Sequence, residues 1–474
     1  MNQTTSPSAD PFIPLLRALL LAGLAILSFN LAYSIPAVSF LVIIYLLCLY
    51  ELGRLQTGRQ AFYLGLITAV GCYAPQAGFM WIIFGPAAIA LWFILAFWIA
   101  LFLVLNRLCR IRFNKLVAAL LIPVLWTGLE YFRSELYYLR FSWFNAGYAF
   151  SGQFQWLPPG AAGVYGIGFV LMAAISLSSL LKMRRRFIAL GVVLLLSAFA
   201  SNSTISRPTP PISSVPRLQV AGVQLEFPSE SEVITALNRL VREHPEAQLL
   251  VLSEYTFAGP VPDKVKKWCA DNHRFLVIGA KDPVFGDDFY DTAFVIDPRG
   301  EFVFRQAKCV PIQFFKDGFP AREQKLWDSP WGKIGICICY DLSYTRVTDE
   351  LVRLGANAII VPTMDIIDWG RNQHELHARV APVRAAEYGL PIFRLASSGI
   401  SQFVEPDGFV SATAPMPGSD SMLFGSLPMN KTGSLPCDRY LAPLCVGITG
   451  LTAVWLLLCN LKKTGTIVPD PSTA

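Results

Sequence analysis

The sequence predicts a membrane all-α bundle of about eight spans joined to an α/β layered domain, and three observations carry that prediction. Charged residues make up 15% of the 474-residue chain and hydrophobic ones 54%, well below the roughly 25% charge of soluble domains. The apolar surplus is local: long apolar runs dominate residues 1–205 and return at 440–460, while 217–430 has the balance of a soluble domain. Within that middle stretch, short apolar strand-like runs alternate with helix-spaced segments.

A helical span needs about 20 apolar residues. Candidates lie at 12–32, 36–52, 61–80, 86–105, 116–132, 161–181, 187–201 and 440–460. The first lacks a small-residue cleavage site and runs straight into further spans, so it reads as an anchor rather than a signal peptide. Lys and Arg set the orientation. Arg54 and Arg59 follow the second span; Arg107, Arg110, Arg112 and Lys115 the fourth; Lys182, Arg184, Arg185 and Arg186 the sixth; Lys462 and Lys463 the last. Both termini are therefore expected in the cytoplasm and residues 202–439 on the outer face, with Arg133 and Arg140 as exceptions to the charge rule. The net charge of +6 comes partly from these clusters, and no basic stripe interleaved with aromatics points to nucleic acid. Glu130 stands one helical turn from Trp126 inside the fifth span, where a carboxylate is costly; it is expected to be functional or near the interface. Phe79-Met80-Trp81 and Phe141-Ser142-Trp143-Phe144 suit a membrane interface. The expected division is 1–205 with seven helices, an outer domain at 206–436, and 437–474 with the last span and a short tail.

The outer domain follows a Ser- and Pro-rich joint at 201–211. Strands are expected at 218–224, 249–252 and 275–279, with helices at 231–243 and 264–273 between them. Runs at 292–296 and 301–306 flank Asp297-Pro298-Arg299-Gly300, a hairpin signal. The stretch Ile334-Gly335-Ile336-Cys337-Ile338-Cys339 reads as a buried strand, followed by a helix at 343–354, a strand at 358–361, a long helix at 373–388 and a strand at 392–395. Strands without period-2 polarity belong in a sheet covered by helices.

Three residues sit at or just past strand ends, where α/β sheets place their sites: Glu254, Lys308 and Cys339. Carboxylate, ammonium and thiol in that layout fit covalent acyl chemistry. The glutamate takes the thiol proton, the thiolate attacks a carbonyl, and the lysine with backbone N–H groups holds the oxyanion, a donor of that kind contributing roughly 3–4 kcal/mol. Strand alternation puts Cys337 and Cys339 on one face, so position separates them: Cys337 lies inside the strand, while Cys339 ends it, where a following helix N-terminus lowers a thiol pKa. The ten cysteines form no framework, and the five on the outer side leave at least one free thiol. His374 and His377 lack a third ligand and are expected in solvated or capping roles; Asp349, Glu350 and Arg353 are expected on a solvated helix face.

The order Glu254, Lys308, Cys339 resembles the triad of the nitrilase superfamily, and its fusion to eight spans resembles the apolipoprotein N-acyltransferases. Further resemblances are Ile338-Cys339-Tyr340-Asp341 to the family's I-C-Y-E, the segment Pro123–Arg133 to its W…E-W-L-R, and Gly163–Phe169 to its G-V-Y-G-x-x-F. Gln373-His374, Arg384–Glu387, Ser397–Ser401 and Thr432-Gly433 also have counterparts. The resemblance implies a nitrilase-like αββα sandwich on the periplasmic side of a bacterial inner membrane. It implies Cys339 as nucleophile, Glu254 as general base and Lys308 as oxyanion stabiliser, with Tyr340 and Asp341 in support. It also implies the reaction: an acyl chain leaves a phospholipid donor for Cys339 as a thioester, then passes to the α-amino group of a diacylglyceryl-modified apolipoprotein at the bilayer, without cofactor or metal. The family carries a second glutamate after its lysine; here the nearest acid is Asp317, and the sequence leaves open whether it takes that place. The alternatives are a membrane-tethered amidase and a non-catalytic paralogue that binds lipoproteins.

Overall fold

The computed structural model describes residues 12–152, 159–202, 216–418, 420–429 and 431–464. Most of the Ser/Pro joint (203–211) and the side chains of Lys462 and Lys463 lie outside them. The membrane part comprises α1 (Leu15–Ser34), a 3₁₀ turn (Pro36–Leu41) leading into α2 (Val42–Leu52), α3 (Gly58–Gln76), α4 (Phe79–Phe84), α5 (Ala87–Arg112), α6 (Lys115–Tyr131), α7 (Pro159–Ser178) and α8 (Met183–Asn202). Helices coincide with all the expected spans. Among the described residues five are long and apolar enough to cross a membrane: Leu15–Ser34, Ala87–Arg112, Lys115–Leu136, Gly160–Ser178 and Asp438–Cys459. Pro36–Leu52 is apolar but shorter, and α3 and α8 do not reach the same apolarity.

The outer domain runs β1 (Arg217–Val223), α9 (Glu230–Glu243), β2 (Leu249–Val251), α10 (Asp263–Asn272), β3 (Phe275–Pro283), β4 (Phe289–Ile296), β5 (Phe302–Ala307), β6 (Leu326–Ser329), β7 (Gly332–Ile336), α11 (Thr345–Arg353), β8 (Ala358–Thr363), α12 (Arg371–Ala378), α13 (Val380–Tyr388), β9 (Ile392–Ala396), β10 (Ser401–Val404), β11 (Val410–Ala414) and β12 (Met422–Pro428), before α14 (Asp438–Thr464). Two six-stranded sheets form, ordered β12-β1-β2-β3-β4-β5 and β11-β10-β9-β8-β7-β6. Each has a parallel centre, β1-β2-β3 and β7-β8-β9. The sheets pack on each other where Gly222 of β1 meets Leu395 of β9. Leu237 of α9 and Trp268 of α10 bury against the first sheet, and Leu351 of α11 against Gly335 of the second. Strands covered on both faces must be apolar on both; every residue of β8 and β9 is buried.

The helix expected at 373–388 is two helices, broken at Arg379. Pro382 explains the break, because its ring clashes with the carbonyl four residues back and it has no N–H to donate. Asp349 is not solvated: it is 4% exposed, accepts from Tyr388 Oη at 2.7 Å and pairs with Arg439 Nε at 2.8 Å.

Those contacts belong to a polar seam between the domains. Glu387 of α13 accepts the Val164 N–H at 2.7 Å and pairs with Arg439 at 3.0 Å. Glu135 accepts the Thr345 N–H at 3.1 Å and Tyr165 Oη at 2.8 Å. Trp143 Nε1 donates to Ser343 Oγ at 3.0 Å. Gly163 has φ 76° and ψ 169°, and a Cβ there would fall 2.0 Å from Asp438. The backbone demands glycine twice over, in conformation and in space. Glu130 is an interior group: its Oε1 accepts the Ala146 N–H at 2.8 Å. Arg133 is buried too, bonded to Tyr73 Oη and Asn145 Oδ1 at 2.9 Å each.

Candidate active site

Glu254 lies three residues beyond β2, Lys308 directly after β5, and Cys339 three residues beyond β7. The two sheets bring these strand ends together. Lys308 Nζ stands 2.7 Å from Glu254 Oε1, 2.8 Å from Asp317 Oδ2 and 3.5 Å from Asp291 Oδ2. The other Glu254 oxygen accepts the Met364 N–H at 2.6 Å, and the Cys339 thiol donates to the Met364 carbonyl at 3.8 Å. One residue just past β8, Met364, therefore touches both the carboxylate and the sulfur. Asp317 also accepts from Tyr255 Oη at 2.9 Å and the Ile312 N–H at 2.7 Å, which fixes the loop after Lys308.

Cys339 opens a 3₁₀ turn, Cys339–Ser343, and has φ 52°. A left-handed conformation costs a non-glycine residue about 1–2 kcal/mol, and such strain collects at working sites. Asp341 holds the bend: it accepts N–H groups from Cys309 at 3.0 Å, Val310 at 2.7 Å and Ile338 at 3.2 Å. The Cys339 turn and the lysine loop are thereby tied by one carboxylate. Burial, opposed by these bonds, pushes the Asp341 pKa up to about 6. Tyr340 Oη donates to the Arg140 carbonyl at 3.3 Å, anchoring the same turn to the membrane domain.

The electrostatics correct one expectation. No helix N-terminus lowers the Cys339 thiol, because α11 begins only at Thr345. Burial, then the Glu254 charge, push this thiol well above its ordinary value, with Lys308 opposing. Cys337 is also pushed well above, by burial first. The two sulfurs differ instead in surroundings: Cys339 touches the carboxylate–ammonium cluster and the cavity below, while Cys337 is fully enclosed. Burial pulls the Lys308 ammonium down, but Asp317 and Glu254 overcompensate and hold it well above its usual range. Burial and the Glu254 charge push Asp291 well above the usual aspartate range. Oxygens of Glu254, Asp291 and Asp317 come within 4.8 Å of one another, a spacing compatible with a metal. The Lys308 ammonium stands within 3.5 Å of all three.

A second polar cluster lies alongside. Asp365 accepts from Gln373 Nε2 at 3.0 Å, bonds His377 Nδ1 at 2.8 Å and pairs with Arg394. His374 and His377 are buried, contrary to the solvated or capping roles expected of them. Their helix packs inward because Gln373 and His377 on it both bond Asp365, a buried carboxylate that Arg394 also pairs with.

Cys339 opens onto an apolar cavity of about 850 Å³, open mouth included. Phe79, Phe84 and Leu91 line it from the membrane helices, Trp143 from the loop after α6, and Ile312 and Phe315 from the lysine loop. Phe84 packs against Phe315 at 5.5 Å between ring centroids. The aromatics expected at a membrane interface are thus mostly cavity wall: Phe79, Phe141 and Trp143 are at most 7% exposed, while Trp81 is 48% exposed. Arg140, an exception to the charge rule, is the one permanent cation among the lining residues.

Glu254, Lys308 and Cys339 were legible from strand ends. Asp291, Asp317, Asp365 and His377 gather there as well. Asp365 follows β8 and was open to the same strand-end argument. Asp291 lies within β4, an acid in an otherwise apolar strand, which was the available signal.

Two family models tile the chain. "Apolipoprotein N-acyltransferase N-terminal domain" matches residues 21–177, and "Carbon-nitrogen hydrolase" matches residues 232–436. A Shewanella oneidensis protein named apolipoprotein N-acyltransferase is 26% identical over 75% of this chain and 80% of its own length. One of the same name from Geobacter metallireducens is 25% identical over 86% and 88%. A Bacillus thuringiensis formamidase is 27% identical over 27% of this chain and 45% of its own. Among solved structures, an amidase from Nesterenkonia sp. covers 46% of this chain and 92% of itself at 19% identity with a TM-score of 0.40. A carbon-nitrogen hydrolase from Helicobacter pylori G27 covers 45% and 90% at 15% identity, TM-score 0.40. The outer domain has the nitrilase-like fold.

Proposed function

The chain belongs to the apolipoprotein N-acyltransferase family of the nitrilase superfamily, and from that premise we propose that it N-acylates lipoproteins using a membrane phospholipid as donor. The observation that carries the reading is the position of Cys339, with the Glu254–Lys308 pair behind it and an apolar cavity shared with the membrane helices in front. A chain of methylenes gains about 0.8 kcal/mol for each CH₂ it buries in such a wall.

The buried thiol is not ionised in advance, so its proton must move as the sulfur attacks. Glu254 takes that proton while the sulfur adds to the ester carbonyl of the donor, and the Lys308 ammonium faces the oxygen that gains charge. The C–O bond then breaks, Glu254 returns the proton to the leaving alkoxide, and a lysophospholipid departs. Cys339 is left as a thioester in apolar surroundings that disfavour water. In the second step the free α-amino group of the lipoprotein's N-terminal cysteine adds to the thioester, the C–S bond breaks, and an amide forms. Asp317 stands as the second acid for Lys308, and Arg140 offers a charge to the donor's phosphodiester. Topology belongs to the same reading: the outer domain, 206–436, faces the periplasm and both termini face the cytoplasm, as the Lys/Arg clusters require. A membrane-tethered amidase for soluble amides is the weaker reading, because this cavity wall is almost wholly apolar.

The test is full-length protein in phospholipid vesicles labelled in the acyl chain. The wild type gains hydroxylamine-sensitive label and passes it to a diacylated lipopeptide, while Cys339→Ala gains none. Absence of label on the wild type, or its persistence on Cys339→Ala, refutes the proposal.

A further inference from the structure

We propose that His377 is a second catalytic base, which takes the proton from the lipoprotein amine as that amine attacks the Cys339 thioester. The inference rests on the proposed transferase reading and assigns a residue to its second step.

His377 is 2% exposed and belongs to the wall of the cavity that Cys339 opens onto. The ring is fixed on two sides. Trp143 stacks on its face at 4.9 Å and 20°, and Asp365 Oδ1 lies 2.8 Å from Nδ1. Asp365 is held well below the usual aspartate range, because His377 and Arg394 outweigh its burial. An ionised carboxylate at 2.8 Å favours the tautomer with the proton on Nδ1. The Arg394 guanidinium, 3.0 Å from the same nitrogen, has its stronger partner in Asp365. With the proton on Nδ1, Nε2 carries the lone pair. Nε2 is buried and has no hydrogen-bond partner, a state that is costly unless a ligand completes it. Carboxylate, oriented imidazole and free ring nitrogen form the arrangement by which a histidine accepts protons from nucleophiles. The charged and titratable groups facing the ring are Asp365, Arg394 and Glu254, and Glu254 is already bound to Lys308 and the Met364 N–H.

The step balances without a further reagent. The amine lone pair forms the C–N bond as one N–H proton passes to Nε2. The tetrahedral oxyanion collapses, the C–S bond breaks, and the departing Cys339 sulfur recovers a proton from the imidazolium. The products are amide, thiol and neutral imidazole, ready for another cycle. Division of labour follows: Glu254 serves the thiol in the first step and His377 serves the amine in the second.

The experiment uses His377→Gln in the full chain, because glutamine keeps a donor for Asp365 and cannot take a proton. Acyl-enzyme formation from labelled phospholipid and its discharge by a diacylated lipopeptide are timed separately. The ratio of discharge rate to formation rate is expected to fall by about 10²–10⁴, the usual contribution of a general base. Label therefore accumulates on Cys339. Discharge of the same acyl-enzyme by hydroxylamine, whose low basicity leaves it unprotonated at neutral pH, is expected to slow at least tenfold less than discharge by the lipopeptide. The inference is overturned by an unchanged ratio, or by equal slowing with both nucleophiles, which is the mark of a purely structural role. If the wild type itself acquires no label, the transferase reading fails and takes this inference with it; a labelled wild type with an unchanged ratio removes His377 alone.

Discussion

Asp317→Asn is the sharpest probe of how Lys308 is held. The carboxylate lies 2.8 Å from Nζ, as close as Glu254 at 2.7 Å. With an effective dielectric constant of about 20, a unit pair at that separation attracts by about 6 kcal/mol before desolvation is counted. Removing one member of a buried, hydrogen-bonded pair costs about 2–5 kcal/mol after relaxation. The amide preserves the side chain's shape, but its single oxygen serves either Tyr255 or the Ile312 N–H, so the charge and one acceptor are lost together. Glu254 then becomes the nearest remaining acid partner of the ammonium, since Asp291 stands farther off at 3.5 Å and burial pushes its carboxyl well above the usual aspartate range. A carboxylate pinned in that way is a poorer base for the Cys339 thiol. If about 3 kcal/mol of the loss appears in the barrier, acyl-enzyme formation slows by about 10²-fold. A rapid-quench time course of hydroxylamine-sensitive label, from donor phospholipid in vesicles, measures that rate directly. A rate within threefold of the wild type refutes the reasoning, and Asp317 is then only a loop fastener.

Cys337→Ala should retain acyl transfer, as read by mass spectrometry of a lipoprotein N-terminus, while losing about 1–2 kcal/mol of stability to the cavity it leaves; an inactive but folded Cys337→Ala exchanges the roles of the two sulfurs. Asp291→Asn should raise thermal stability at neutral pH. Its folded pKa lies above the unfolded value, so its favourable contribution is complete below the unfolded pKa and is lost as pH rises through the folded one. The amide escapes that loss, and the stabilisation should shrink toward about pH 4, near the unfolded aspartate value; melting curves across pH in detergent check both the sign and the direction. Gly163→Ala should cost about 3 kcal/mol or more and loosen the seam, because φ 76° disfavours alanine and the Cβ would meet Asp438; faster proteolysis between the domains is the readout, and an unaltered digestion pattern contradicts it.

The parallel strand cores were legible because strands covered on both faces must be apolar throughout, as Leu249–Val251 and residues 358–362 are. The edge strands β11 and β12, and β10 beside β11, were not. β11 alternates half-buried and exposed positions, and β12 is placed by pairing with β1, two hundred residues earlier. Strand ends singled out Glu254, Lys308 and Cys339, since a strand's exit fixes where its next residues go. What stayed hidden was set by distant neighbours: the upward push on the Asp291 carboxyl, the inward turn of His377 and the conversion of interfacial aromatics into cavity wall. Periodicity along the chain reports which residues are buried, not which buried groups face one another. The unaided thiol was misread for the same reason, as the start of α11 at Thr345 separates its N-terminus from Cys339.

The cavity wall is drawn from both halves of the chain, Phe79 and Phe84 on one side and Ile312 and Phe315 on the other. Neither half can therefore drift or be transplanted alone. An excised outer domain would keep its nitrilase-like fold but lose the floor of the cavity, leaving Cys339 open to water. Chimaeras between relatives should function only when the α4–α5 corner and the lysine loop come from one parent, and change at one of these rings should be tolerated when its opposite number changes with it.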